Sequence, residues 1–187
     1  MKKELIRKSY QLAKEQYAEL GVDTEKALSE MDKLVISLHC WQTDDVGGFE
    51  KEGAELGGGG IQATGNFPGK AKTIAQMRDD LDKVLSLVPG RQRLNLHAIY
   101  GEFGGKLVDR DQIETKYYQG WINWAKKRKI GIDFNCTCFS HPLADDGFTL
   151  ASKNVKIRKF WIEHTKRCRA ISADIGKQLG TPCIHNI

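Results

Sequence analysis

The apolar residues of the chain follow two kinds of spacing, one typical of helices and one typical of buried strands. A helical spacing predicts two amphipathic helices at the N-terminus, over about residues 3–20 and 24–31. Four short apolar runs follow, partly β-branched, which suits strands buried on both faces of a parallel sheet. They cover residues 34–38, 94–100, 130–135 and 181–187. Helical spacing returns between these runs, over residues 73–87, 109–125 and 154–179.

This order of elements predicts an α/β fold. Alternating strands and helices indicate a parallel sheet with right-handed crossovers. Four strands with three crossover helices equal about the first four βα units of a (β/α)8 TIM barrel. We therefore expect a helical extension over residues 1–33, followed by an incomplete barrel over residues 34–187. An open four-stranded α/β sheet is the alternative, but no strand-to-helix turn carries a GxGxxG or GxxxxGK[ST] phosphate loop.

Polar and aromatic side chains collect where each predicted strand ends. They are His39 and Trp41, His97 and Tyr100, Asp133, Asn135, Phe139 and His141, and finally His185 and Asn186. In a barrel all these strand ends lie on the face that holds the active site, so we expect a shared polar rim. An aromatic ring beside polar donors suits a sugar, whose C–H face packs on the ring while its hydroxyls form hydrogen bonds.

The composition narrows the class of protein. The chain has 187 residues, 40% of them apolar and 28% charged, as in a globular domain. It has no apolar stretch long enough for a membrane span and no secretory signal, so we expect a cytoplasmic protein without a membrane partner. The net charge of +5 is modest and its cations are scattered among 24 acids, so no nucleic-acid partner is expected.

The five cysteines are expected to be reduced thiols, because their number is odd and no signal peptide is present. Cys136 and Cys138, with His141 nearby, raise the question of a zinc site. Structural zinc sites usually pair two C-x₂₋₄-C or similar motifs, and the sequence offers no second pair. Zinc is therefore not the favoured interpretation of these residues.

Several segments resemble one known family. The stretch from His39 to Glu50 resembles the HCWQGDDVSGFE segment of L-rhamnose isomerases with two differences, and Gly59 to Ala71 resembles their GGIQATGNYPGKA. Arg93 to Tyr100 matches RLNLHAIY. Later blocks match FSHPL, DGFTL, QLGTP and NI, in the same order along the chain.

The resemblance implies a metal-dependent aldose–ketose isomerase that interconverts L-rhamnose and L-rhamnulose, usually as a cytoplasmic homotetramer with Mn²⁺. It implies that His97 is the catalytic residue near the sugar ring oxygen, that Trp41 lines the sugar pocket and that Phe139 packs near the C6 methyl group. His39 and Asn135 complete the expected substrate-binding set. The residues that hold the metal in this family lie beyond the point that corresponds to Ile187, so no metal ligand is expected in this chain.

We therefore expect a truncated, N-terminal portion of such an isomerase, inactive by itself because a pocket poor in carboxylates cannot hold a hard cation tightly. Two alternatives remain open. One is another xylose-isomerase-like isomerase, epimerase or endonuclease, against which the long matched Gly-rich segment argues. The other is a carbohydrate-binding half-barrel without catalytic activity.

Overall fold

The computed structural model describes residues 2–40, 43–44, 47–50 and 68–187, and within them the chain forms five α-helices and four β-strands. The helices are α1 (Lys3–Glu19), α2 (Thr24–Met31), α3 (Ile74–Leu87), α4 (Gln119–Arg128) and α5 (Val155–Leu179). The strands are β1 (Val35–His39), β2 (Arg91–His97), β3 (Gly131–Asn135) and β4 (His185–Asn186). The predicted α/β succession is confirmed.

The four strands form one parallel sheet in the order β1-β2-β3-β4. In the register between β2 and β3, Asn95 lies beside Asp133 and His97 beside Asn135. Between β3 and β4, Phe134 lies beside His185. Neighbouring strands in space are therefore also neighbours in sequence, as expected for successive βα units.

The two faces of the sheet differ in chemistry because side chains alternate along each strand. Asn95, His97 and Asn135 share a polar face. Leu96 and Phe134 point the other way and are fully buried. The Phe134 ring lies 5.0 Å from the ring of Tyr118, at the start of α4, so this second face packs on the helices. We call these the polar face and the helix-facing side.

Two hydrogen bonds on the polar face join strands that are not neighbours. Ser37 of β1 donates to Asp133 of β3 at 2.6 Å, and Asn186 of β4 donates to Asn95 of β2 at 3.2 Å. Adjacent strands lie about 4.8 Å apart, so strands two positions apart are separated by about 10 Å in a flat sheet. Such short side chains can meet only because the sheet curves towards its polar face.

The helix ends follow local sequence rules. Asp23, Thr73 and Asn154 each accept a backbone N–H in the first turn of α2, α3 and α5. Gly180 ends α5 in the left-handed region at φ 64°, and Lys129 ends α4 there at φ 56°.

The structure differs from the predicted elements in three places, one of which is the fourth strand, expected over residues 181–187 and formed by His185–Asn186. The second strand begins at Arg91 and ends at His97, because residues 98–100 turn into a 3₁₀ helix. The helix predicted from residue 109 consists of two short 3₁₀ turns followed by α4. Extended backbone at Ile113 and Glu114 separates these turns, so apolar spacing continues there without a continuous helix.

The chain divides into two compact units. One comprises Met1–Ile36 with Pro89–Arg91, and the other comprises Ser37–Val88 with Gln92–Ile187. In the first unit, Tyr10 and Lys14 of α1 both donate to the carboxylate of Glu25 in α2, at 3.2 and 2.9 Å. The described residues of α1 and α2 include none that is buried. A separate extension over residues 1–33 stays a prediction.

Among the residues that the structure describes, no helix has the length and apolar character to cross a membrane.

Candidate functional site

Two histidines meet at the ends of β1 and β2 on the polar face. Nδ1 of His39 lies 3.2 Å from Nε2 of His97, and Nε2 of His39 lies 3.3 Å from the amide nitrogen of Asn95. The oxygen of the Asn95 amide accepts from Asn186, which directs the amide N–H towards His39. His39 therefore accepts at Nε2, carries its proton on Nδ1 and donates that proton to His97.

The other nitrogen of His97 faces Thr137. Nδ1 of His97 lies 3.3 Å from the Thr137 hydroxyl oxygen, which also accepts the backbone N–H of Ala98 at 3.2 Å. The hydroxyl itself donates to the carbonyl oxygen of Asn135. The hydrogen bonds therefore run in one direction, from Asn95 through His39 and His97 to Thr137, with both imidazoles neutral.

The burial of His97 is consistent with a neutral ring. His97 is 1% exposed, and burial, followed by the nearby His39, lowers its pKa from 6.5 to about 3. His39 is exposed and lies over it. At neutral pH, His97 is therefore uncharged, and its Nε2 accepts a hydrogen bond from His39.

Aromatic side chains border the histidine pair. The Phe139 ring lies 6.5 Å from the His97 ring and the Tyr100 ring lies 6.3 Å from it, both edge-on. The Tyr100 hydroxyl donates to Asp44 at 2.6 Å, and burial raises the pKa of Tyr100. The second oxygen of Asp44 accepts the backbone N–H of Gly48 at 2.6 Å. The half-buried Phe139 thus provides apolar surface beside the polar pair, whereas the Tyr100 side chain is fully buried.

A buried arginine holds the segment after β3 in place. Arg110 is 1% exposed and forms an ion pair with Glu50 at 3.0 Å. Its guanidinium also donates to the carbonyl oxygens of Thr137, Phe139 and Ser140. These contacts fix the positions of Thr137 and Phe139 relative to His97.

The structure brings together some of the predicted site residues. His39, His97 and Phe139 lie close to one another, as described above. The Asn135 side chain instead accepts the backbone N–H of Thr137 at 2.7 Å, so it shapes the turn after β3. Trp41 lies outside the described residues.

The expected rim of four histidines is not formed as a single group. His141 pairs with Asp109 at 3.0 Å and stacks on Phe160, with ring centroids 5.0 Å apart. His185 lies 2.9 Å from the sulfur of Cys136. Since it is aligned with Phe134, it lies on the helix-facing side. Strand ends share a rim, but strand pleating decides which face each side chain takes.

Sequence reasoning missed three residues that shape this group. Asn95 could have been found, because it lies two positions before His97 in a strand and therefore on the same face. No sequence pattern indicates the position of Thr137, because its backbone lies at φ 56°, which is unusual for a β-branched residue. Arg110 is not indicated by any pattern either, because its partners lie far away along the chain.

The described residues do not form a site suited to a hard divalent cation. The Asp133 carboxylate is bound by Arg93 and Ser37 and accepts the backbone N–H of Ile184. Within the part of the chain that the structure describes, the group of metal-ligand atoms found close together is Cys136, Cys168 and His185, without any carboxylate. Hard cations such as Mn²⁺ prefer oxygen ligands, so no catalytic step is assigned to a metal here.

Comparison with known proteins decides the family. The model of the family described as L-rhamnose isomerase (RhaA) matches residues 4–187. The chain belongs to the L-rhamnose isomerase family. The resemblance carried by the sequence segments around His39, His97 and His141 is thereby confirmed.

Individual L-rhamnose isomerases match over nearly the whole chain. The protein of that name from Bacteroides thetaiotaomicron is 54% identical over 186 residues, which cover 100% of this chain and 44% of that protein. Those from Enterobacter sp. (strain 638) and Klebsiella pneumoniae are 53% and 52% identical, each over 97% of this chain. The chain thus spans less than half the length of these L-rhamnose isomerases.

Proposed function

We propose that this chain forms the N-terminal part of an enzyme that interconverts L-rhamnose and L-rhamnulose. The observation that carries the proposal is the 54% identity to an L-rhamnose isomerase over the entire chain. The paired imidazoles of His39 and His97, bordered by Phe139, support it because a sugar needs both hydrogen-bonding groups and an apolar surface.

His97 is proposed as the catalytic residue of ring opening. Opening a pyranose removes a proton from the anomeric hydroxyl and adds one to the ring oxygen. A neutral imidazole can exchange protons in this way, and the low pKa of His97 keeps it neutral at pH 7. His39, whose Nδ1 lies 3.2 Å from His97, is proposed to bind substrate and to orient His97.

The remaining substrate-binding assignments rest on different observations. Phe139 is proposed to contact the C6 methyl group, supported by its position beside His97. Asn135 is proposed to act through the turn at Thr137 rather than by direct contact, since its side-chain oxygen is bound there. Trp41 is proposed to line the pocket on the basis of the sequence resemblance alone.

The sheet is proposed to be part of a (β/α)8 barrel. The hydrogen bonds from Ser37 to Asp133 and from Asn186 to Asn95 support this, because layers of side chains from alternate strands fill the interior of such barrels. The extension over residues 1–33 is proposed to lie outside that barrel.

The family resemblance also leads us to propose the use of Mn²⁺, a homotetrameric assembly and a cytoplasmic location for the complete protein. The Mn²⁺ ligands are proposed to lie outside this chain, as the family resemblance implies.

The activity and the role of His97 are tested together in the complete protein. His97→Ala is expected to lower kcat for L-rhamnose by about 10²–10⁴-fold, the usual contribution of a general acid–base group. The measurement is L-rhamnulose formation under saturating substrate. As a control, His141→Gln alters a histidine that pairs with Asp109 and is expected to leave kcat within a few-fold of the parent.

The same assay distinguishes the substrate class. A panel of aldoses should show the highest kcat/KM with L-rhamnose. If the complete protein leaves L-rhamnose unchanged and isomerises or epimerises another sugar, the proposed substrate is wrong. If His97→Ala has parental kinetics while L-rhamnose is turned over, the substrate stands and the role of His97 is wrong.

A further inference from the structure

Three side chains with soft donor atoms meet on the helix-facing side of the sheet, away from the histidine pair. They are Cys136, which follows β3, Cys168 of α5 and His185 of β4. Their sulfur and ring-nitrogen atoms all lie within 4.8 Å of one another. Residues 136, 168 and 185 are far apart in sequence, so only the packing of α5 across β3 and β4 brings them together.

Packing alone does not account for this choice of residues. Cys136 and Cys168 are both fully buried, and His185 is half-buried with Nε2 directed at the sulfur of Cys136, 2.9 Å away. An apolar side chain would fill the position of His185 between a sheet and a helix at a lower desolvation cost. An imidazole nitrogen directed at one thiol, with a second thiol sulfur within 4.8 Å, is a feature of a ligand set.

The geometry is close to that of a tetrahedral zinc site. With Zn–S bonds of about 2.3 Å and Zn–N bonds of about 2.0 Å, neighbouring ligand atoms are about 3.5–3.8 Å apart. The three atoms of this group span distances from 2.9 Å, between Cys136 and His185, to at most 4.8 Å. Adjustments of about 1 Å, within reach of side-chain rotation, would place all three at bonding distance of one ion.

We propose that Cys136, Cys168 and His185 bind a single zinc-class cation. Thiolate and imidazole donors select such borderline or soft ions over Mn²⁺ or Mg²⁺. Binding transfers the two thiol protons to solvent and leaves two thiolates and one neutral imidazole on the metal. The ion fastens α5 to β3 and β4, and thereby acts as a structural clamp.

Among the described residues, the clustered ligand atoms number three, so the fourth position of a tetrahedral site is left to a water molecule. His164 lies 3.6 Å from the sulfur of Cys168, but its two ring nitrogens face the carbonyl oxygens of Arg110 and Cys136, at 2.8 and 2.6 Å. His164 therefore packs beside the group and is not one of its ligands.

The site can be tested on the complete protein with Cd²⁺ as the probe. Cd²⁺–thiolate bonds absorb in the near ultraviolet, and a site made of carboxylates and imidazoles gives no such band. Titration of the reduced, metal-free protein is expected to produce this band with an endpoint of one ion per chain. Zn²⁺ added afterwards is expected to remove the band by displacing Cd²⁺.

Variants then identify the ligands. Cys168→Ser and His185→Gln are each expected to weaken Cd²⁺ binding by more than about 100-fold. Loss of a residue that only hydrogen-bonds to a metal ligand weakens binding by at most about that factor, so a larger effect identifies a ligand. Cys183→Ser is the matched control, because Cys183 is also a half-buried free thiol close to β4 but does not belong to the group of clustered ligand atoms. It is expected to bind Cd²⁺ as the parent does.

Circular dichroism of each metal-free variant shows whether it is folded, and Zn²⁺ should raise the Tm of the parent and of Cys183→Ser only. Absence of the ultraviolet band in the folded, reduced parent overturns the proposal. So does a band that Cys168→Ser and His185→Gln retain in full. A disulfide between Cys136 and Cys168 in the isolated protein, combined with no metal binding after reduction, also overturns it.

Discussion

At the scale of single residues, the environment of His97 determines its protonation state. It is buried beneath an exposed histidine and hydrogen-bonded at both ring nitrogens, to His39 and to Thr137. A histidine in water is partly protonated near pH 6.5, whereas this one stays neutral down to about pH 3. Its uncharged state therefore depends on the fold and not only on the residue type.

The same burial predicts a pH-dependent stability. Because the pKa of His97 falls from 6.5 to about 3 on folding, the unfolded chain binds a proton in this interval that the folded chain does not. Its contribution to stability is complete above pH 6.5 and is lost as the pH falls towards 3. The loss amounts to at most about 1.4 kcal/mol per pH unit.

Urea unfolding of the parent and of His97→Gln at pH 7, 6, 5 and 4 measures this contribution. The free energy of unfolding should fall more steeply with decreasing pH in the parent than in the variant. Other titrating groups, including His141 and His185, are common to both proteins. Parallel pH profiles would contradict the prediction.

The candidate site was only partly predictable at this scale. His39, His97 and Phe139 were predicted because each follows an apolar strand, and strand ends share an edge of the sheet. Such reasoning cannot tell on which face a side chain lies when its place in the pleat is unknown, and His185 was grouped with them for that reason. Thr137 depends on a left-handed backbone that no sequence pattern indicated.

At the scale of elements, the two helices that border β3 and β4 end in the same backbone conformation with different residues. Gly180 ends α5 at φ 64°, and Lys129 ends α4 at φ 56°. A residue with a Cβ atom is disfavoured in this region by about 1–2 kcal/mol, whereas glycine is not. Substitutions at these two caps are therefore expected to change the free energy of unfolding in opposite directions.

Gly180→Ala is expected to lower the free energy of unfolding by about 1 kcal/mol, and Lys129→Gly is expected to raise it by a similar or smaller amount. A Cβ atom at Gly180 would meet nothing within 4 Å, so the cost is conformational and not steric. Thermal or urea unfolding of both variants checks this. Equal signs for the two changes would show that cap conformation does not control stability here.

The order of elements was predictable because apolar spacing changes sharply between helical and strand segments. The boundaries of the elements were less predictable. Residues 98–100 continue the apolar run of β2 yet form a 3₁₀ turn, in which Tyr100 bonds to Asp44. Tyr100, at the end of this turn, contacts a residue 56 positions away, and the local sequence does not reveal such a contact.

At the scale of the whole molecule, the chain supplies one part of a longer functional unit in its relatives. It matches 44% of the length of the Bacteroides thetaiotaomicron protein. Its parallel sheet curves towards a polar face that carries imidazoles and amides. Its described residues bring no group of carboxylates together there. The proposed sugar contacts and the proposed Mn²⁺ ligands therefore come from different portions of the complete protein.

It follows that the 187-residue chain by itself should not isomerise L-rhamnose, even with added Mn²⁺. The complete protein, assayed in parallel, should do so. L-rhamnulose formation, followed over several hours with each preparation, gives the comparison. Turnover by the isolated chain that a chelator abolishes would mean that the metal ligands lie within it.

Thr137 links the proposed sugar site to the proposed zinc site. It contacts His97 and is the next residue in the chain after Cys136. Its hydroxyl touches His97, its covalent neighbours are Cys136 and Cys138, and its backbone occupies a region that β-branched residues avoid. A metal ion that shifts Cys136 also displaces the Thr137 hydroxyl. Thermodynamic linkage is reciprocal, so any factor by which zinc alters sugar affinity through this residue must equal the factor by which sugar alters zinc affinity.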